Sequence, residues 1–300
     1  MGGAGATLAP ALPRRPIITT PSPHTPDTPS PGLSLAALEG WHSALAEAHA
    51  RCRQPGFTEA LIAAIDRLVP TESTLVILED ARQAPRLLYQ RGIPPEGRDR
   101  ILGRYFSRGY LLDPFCLAVD QGLAEGFYHL DDIAPDNFFN SEYYRVYYLE
   151  AGSVEDCYYI LDLTPERRIS ISLYNGLTAT PLTSTQRAIL QTLDPMVRTL
   201  ARYHWQNLDE RVDTLPPPFA PSPGGGKLRE AFLRFGEDRL TMREREICHL
   251  LLRGHSAKSS ARELSISPET VRLHRKNLYA KFDIGSQSAL FAIFLDWLDG

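Results

Sequence analysis

Residues 240–295 read LTMREREICHLLLRGHSAKSSARELSISPETVRLHRKNLYAKFDIGSQSALFAIFL. Four short helical patterns follow one another here, separated by cap and turn signals. Thr241 stands three residues before Glu244, the spacing of a capping box that satisfies two orphan N–H groups at a helix start. Ile247, Leu250 and Leu251 then mark one helical face, and Arg253-Gly254 closes the helix with a cation and a residue free to turn left-handed. Ser256 caps a second helix that turns Ala261 and Leu264 inward. Ser265 to Pro268 is the next turn. Ser267 suits an N-cap, Pro268 suits the first helical position, and Glu269 complements the helix dipole. The third helix spans Pro268 to about Phe282. Its inward stripe is Val271, His274, Leu278 and Phe282, while Thr270, Arg272, Leu273, Arg275, Lys276 and Tyr279 face away. A fourth helix begins near Ser286 and carries Leu290, Ile293, Phe294 and Trp297.

The order and spacing are those of a helix-turn-helix, and the residues resemble the LuxR/FixJ-type DNA-binding domain of bacterial transcription regulators. The resemblance rests on Leu240-Thr241, Arg243-Glu244, Glu246-Ile247, Gly254, Lys258, Ala261, Leu264, Ile266-Ser267, Glu269-Thr270-Val271, His274, Leu278, Lys281 and Phe282, without gaps, over about the last fifth of the chain. Two positions depart from it. Ser259-Ser260 stands where the family places Glu-Ile, and Ser265 stands where it favours Gly. The resemblance implies that Arg272, Leu273 and Lys276 meet base edges in the major groove, where each base pair shows its own donor and acceptor pattern. Arg272 suits guanine and Leu273 a thymine methyl. Lys258, Thr270, Arg275, Asn277 and Lys281 are then expected at phosphates, which fix register and carry no sequence information. The basic excess between Arg253 and Lys281 agrees, because phosphate neutralisation dominates affinity. In the family reading Leu290, Ile293, Phe294 and Trp297 form a dimer helix. A homodimer on double-stranded DNA, working with RNA polymerase, is therefore expected.

Three hundred residues exceed one such reader, and the length points to about two domains. The net charge of −4 hides an asymmetry. Acids exceed bases up to Gly226 and bases exceed acids after it, which assigns DNA binding to the C-terminal part alone. Residues 1–32, rich in Pro, Thr and Ser, cannot bury enough apolar surface to fold and are expected to be disordered. Residues 213–227 hold three consecutive prolines and three consecutive glycines and read as a linker. Residues 33–212 form the expected sensor or dimerisation domain, and residues 228–300 the reader.

Within 33–212, helices are expected over Leu35–His49, Thr58–Val69, Asp99–Arg108 and Asp136–Glu150. Strands are expected over Thr74–Leu78, Arg86–Tyr89, Cys157–Leu163 and Ile169–Tyr174. Thr183 and Gln186 open a long helix to about Trp205, with a bend at Pro195. This order predicts an α+β domain on an antiparallel sheet with flanking helices, and it resembles GAF- or PAS-like sensor domains. Tyr143, Tyr144, Tyr147, Tyr148 and Tyr158 are the pocket candidates, since tyrosine offers an apolar body and a polar tip. Glu142, Arg145, Glu150, Glu155, Asp156, Arg104, Tyr110, Asp113 and Phe115 are further candidates for such a wall.

Other chemistries lack their residues. A receiver domain would need an Asp and a Lys at strand ends that are not found beyond Glu79-Asp80. The Trp, Tyr and Asp set of acyl-homoserine-lactone domains is unmatched, with Trp41 and Trp205 near the domain ends. There is no His-Glu-x-x-His, no Gly-x-Ser-x-Gly and no phosphate loop, since Gly224-Gly225-Gly226-Lys227 lacks the strand and the Ser or Thr. No catalytic residue, metal site or cofactor is expected. The four cysteines have no metal spacing and read as thiols of a reducing cytosol. No run is long enough to span a bilayer, Ala6 breaks a myristoylation pattern, and the expected location is cytoplasmic. The reading is a DNA-binding regulator with a small-molecule effector. Its competitors are a constitutive DNA binder whose middle domain only dimerises, and a protein–protein adaptor.

Overall fold

The computed structural model describes residues 33–80, 83–176, 180–208, 230 and 232–299. The expected tail 1–32 and linker 213–227 lie outside the described residues.

Helices α1 (Leu35–Ala50) and α2 (Phe57–Asp66) precede strands β1 (Ser73–Asp80) and β2 (Gln83–Arg91). Then come α3 (Pro95–Ser107), α4 (Pro114–Asp120), β3 (Gly126–His129), α5 (Leu130–Ile133) and α6 (Glu142–Tyr147). Strands β4 (Ser153–Thr164) and β5 (Arg167–Gly176) form a hairpin, and α7 (Ser184–Trp205) follows. The five strands make one antiparallel sheet in the order β2-β1-β5-β4-β3. The α+β domain on an antiparallel sheet is thus present.

Side chains alternate across a strand, so each sheet face gathers its own core. Val76, Leu78, Cys157, Tyr159, Leu161, Ile169, Ile171 and Leu173 pack with α1, α2 and α7. The capping box of Thr183 and Gln186 starts α7, which buries Leu190, Leu193, Val197, Leu200 and Trp205 on that face. The helix runs on through Pro195, which lies on its exposed side. The other face carries Leu75, Ile77, Tyr158 and Ile160 and packs with the segment from α3 to α6.

That segment departs from expectation. The helix expected over Asp136–Glu150 is broken into a 3-10 turn (Phe138–Asn140), α6 and a second 3-10 turn (Leu149–Ala151). The break lies at Ser141, whose extended backbone lets its hydroxyl accept the Tyr144 N–H at 3.1 Å. A serine outside the helix satisfies an orphan donor that a continuous helix would have bonded internally. Strand β3 and helices α4 and α5 were not anticipated. β3 is only four residues long and is held by pairing with β4.

The C-terminal helices are α8 (Met242–Leu252), α9 (Ala257–Leu264), α10 (Pro268–Phe282) and α11 (Gln287–Asp299). Thr241, Ser256 and Ser267 are the N-caps, as their positions in the sequence predict. Ile247, Cys248, Leu251, Val271, Leu278, Leu290 and Phe294 are buried between the helices. Phe232 and Phe235, ahead of the expected motif, complete this core, and Phe235 stacks on Phe282.

The described residues form one compact unit. One apolar cluster runs from Tyr110, Phe138 and Tyr148 to Ile247, Leu251 and Leu290. Gly254 makes the close approach. It adopts φ +88°, and a Cβ there would stand 2.9 Å from the Phe138 Cα, so a side chain is excluded by both conformation and space. The four cysteines are free thiols; Cys52 is half-buried and the others are buried. Among the described residues no helix is long and apolar enough to cross a membrane.

Candidate functional site

The expected recognition surface is the outer face of α10. Ser267 fixes its start by accepting the Thr270 N–H at 3.1 Å, with Pro268 at the first helical position. Val271 and Leu278 are buried and His274 is half-buried, which turns Arg272, Leu273, Lys276 and Asn277 to the outside. Leu273 keeps 57% of its surface exposed, a position without a packing role for so apolar a side chain. Arg272 lies 3.0 Å from Glu269, an exposed pair one turn apart, worth little in water and easily exchanged for another anion. Lys258 on α9 is exposed, while Thr270 and Arg275 are half-buried. Lys281 is placed differently from a free phosphate contact, because its ammonium is 2.6 Å from the buried carboxylate of Glu244.

Of the four dimer candidates, Leu290 and Phe294 are fully buried in the reader's own core. Phe294 packs edge-on against Phe232 and Phe235. Ile293 is half-buried and Trp297 exposed, so these two retain area for a partner.

A cavity of about 430 Å³ lies on the face of the sheet toward α3 and α6. Tyr143, Tyr147 and Tyr148 line it, as do Arg104, Asp113 and Glu150. Tyr105, Tyr174, Leu102 and Glu72 also line it and were not anticipated. The signal for α3 was present in the sequence, since Ile101, Leu102, Tyr105 and Phe106 share one helical face. Tyr144 is not in the wall; its hydroxyl donates to the Val154 carbonyl at 2.7 Å. Tyr158 lies behind the wall, stacked on Phe115 with centroids 4.5 Å apart. Trp41 and Trp205 pack on the opposite face of the sheet, away from the cavity.

The electrostatics of this wall are those of acids kept from water. Asp113 caps α4 by accepting the Phe115 N–H at 2.8 Å, and the Tyr105 hydroxyl donates to it at 2.9 Å. Burial nevertheless pushes its pKa up to about 6, the hydrogen bonds from Tyr105 and from the backbone of Phe115 and Cys116 opposing the rise. Asp156 does not line the cavity; it is fully buried behind Tyr148, which raises its pKa well above the carboxylate range, although the Tyr158 and Tyr148 hydroxyls donate to it. One oxygen of Asp156 and the hydroxyl of Tyr143 have no partner among the described residues. An unsatisfied buried polar group costs about 1–3 kcal/mol, so a wall that keeps the Tyr143 hydroxyl unpaired is suited to a guest with a polar group.

Comparison with known proteins agrees with the C-terminal geometry. Residues 238–294 match the family of bacterial regulatory proteins, luxR family. An HTH-type transcriptional regulator of the exeN 3′ region of Aeromonas salmonicida is 31% identical over 186 residues, 62% of this chain and 94% of that protein. The monoamine regulon transcriptional regulator of Klebsiella aerogenes is 27% identical over 209 residues, 64% of this chain and 79% of that protein. Among solved structures, the VqsR LBD domain from Pseudomonas aeruginosa matches with a TM-score of 0.49 at 24% identity, over 55% of this chain and 95% of that one. SdiA in complex with octanoyl-rac-glycerol matches with a TM-score of 0.40 at 15% identity, over 89% and 97% of the two chains.

Proposed function

We propose that this chain, which belongs to the luxR family of bacterial regulatory proteins, is a cytoplasmic, sequence-specific transcriptional regulator controlled by a small molecule held in the sensor cavity. Arg272, Leu273 and Lys276 read bases. Lys258, Thr270, Arg275 and Asn277 hold phosphates, and Lys281 joins them only by leaving Glu244. Two chains pair through the exposed part of α11, at Ile293 and Trp297, and meet RNA polymerase at the promoter. A paired reader presents its recognition helices to half-sites about one helical turn apart.

The observation that carries the effector reading is Tyr143. Its side chain is fully buried and lines the cavity, and its hydroxyl has no partner among the described residues. Together with the near-neutral carboxyl of Asp113 it offers one donor and one group that accepts or donates according to its proton. The effector is therefore a mainly apolar molecule with at least two polar groups. A constitutive dimer scaffold would gain nothing from this cavity.

The full chain, incubated with sheared bacterial genomic DNA at stated salt, should retain fragments sharing a two-fold motif. The R272A/K276A double variant should retain DNA weakly and without that motif. Equal, motif-bearing retention by both proteins would remove these residues as base readers.

A further inference from the structure

Ser259 stands where the LuxR/FixJ pattern has Glu, and the structure gives it a partner that Glu would repel. The sensor residue Asp136 reaches the start of α9. One of its carboxylate oxygens accepts the Ser256 backbone N–H at 3.0 Å and the Ser259 hydroxyl at 2.5 Å. The other accepts the Ser256 hydroxyl at 2.6 Å. The same Ser256 oxygen accepts the Lys258 and Ser259 N–H groups at 3.1 and 3.2 Å, so the cap polarised by the helix is in turn bonded to the acid. Partial desolvation works against the charge of Asp136, yet the donations from Ser256 and Ser259 hold its pKa down to about 2. It is an anion at every physiological pH.

Two further bonds keep it there. The Asn137 N–H donates to the Gly254 carbonyl at 3.1 Å, and the Ser288 hydroxyl, in the first turn of α11, donates to Glu142. Sensor carboxylates thus sit at the N-terminal turns of two reader helices.

A helix N-terminus concentrates unpaired N–H groups and partial positive charge, and is a ready site for phosphate. In a helix-turn-helix the first helix of the motif crosses the DNA backbone, and α9 is that helix. We propose that Asp136 is an internal stand-in for a DNA phosphate, so that the sensor and the duplex compete for the N-terminus of α9. The proposal rests on the DNA-binding reading above. It explains why Arg272, Leu273 and Lys276 are open to solvent while the backbone-contacting end of α9 is taken. It also gives Ser259 a role, since a buried Glu there would face the Asp136 carboxylate.

The test uses the full chain, its D136N and D136A variants, and a generic duplex of about three helical turns followed by fluorescence anisotropy. Where the latched state dominates about ten to one, opening it tightens apparent binding about tenfold; both variants should gain by that order, while the lost hydrogen bonds lower their melting temperatures. Hydrogen exchange supplies the second reading. Saturating duplex should expose the Asn137 amide in the wild-type chain, although Asn137 belongs to the sensor. Equal or weaker binding by folded variants, or an Asn137 amide that stays protected on DNA, would overturn the proposal alone. Failure of every protein to bind any duplex would defeat the DNA-binding reading and the proposal with it.

Discussion

The carboxylate of Glu244 accepts the Thr241 N–H at 2.9 Å and the Lys281 ammonium at 2.6 Å. One buried side chain thereby closes the capping box of α8 and ties it to the last turn of α10. Loss of such a cap costs about 1 kcal/mol, and loss of a charge-assisted bond adds about 1.5–3 kcal/mol. E244A should therefore destabilise the reader by roughly 2–4 kcal/mol, read as a lowered urea midpoint.

The same residue sets an acid limit. Desolvation acts to raise the Glu244 pKa, but the bonds from Lys281 and Thr241 outweigh it and lower the value. A carboxyl lowered on folding stabilises the fold above its unfolded pKa of about 4.3, and that contribution is lost as pH falls through the folded value. The acid limb of reader unfolding should flatten in E244Q. An unchanged limb would show that Glu244 is not the titrating group.

Asp113 gives the opposite sign. Its folded pKa of about 6 lies above the unfolded value, so the folded chain binds a proton that the unfolded chain has released. Stability of the unliganded sensor should fall as pH rises from about 4 to about 6 and then level off. D113N keeps the cap on α4 and should abolish this slope. An effector that donates to the Asp113 carboxylate should bind more tightly above pH 6 than below it.

Ser265 closes α9 in the left-handed conformation, at φ +54°. For a residue with a Cβ this costs about 1–2 kcal/mol, less the entropy that glycine forfeits on folding. S265G should raise reader stability by about 0.5–1 kcal/mol and leave DNA sequence preference unchanged. A loss of stability would contradict the strain at this turn.

Much of the reader was legible because its signals are local. Thr241 with Glu244, Ser256, and Ser267 with Pro268 each announce a helix start within a few residues, and all three caps are present. Phe232 and Phe235 were missed because no periodic pattern surrounds them; only packing on Phe294 reveals their place. The tyrosine run identified half of a wall. Tyr143, Tyr147 and Tyr148 reach the cavity, but Tyr144 turns to the Val154 carbonyl once Ser141 breaks the helix. Tyr105 and Tyr174 come from α3 and β5 and meet only through the sheet order. Ser259 read only as a departure from the LuxR/FixJ pattern, because its partner Asp136 lies 123 residues away in sequence.

Under the proposed function, occupancy of the sensor cavity changes the grip on DNA. Compounds should first be selected as raising the melting temperature of the wild-type chain but not of a Y143F variant. The direct measurement is then the affinity of the full chain for its recovered operator with and without such a compound. A ligand that favours one of two states shifts the other site by its differential affinity, typically about 5- to 150-fold. A change of that order is expected in wild type and none in Y143F. A compound that fills the cavity and leaves operator affinity unaltered would contradict it.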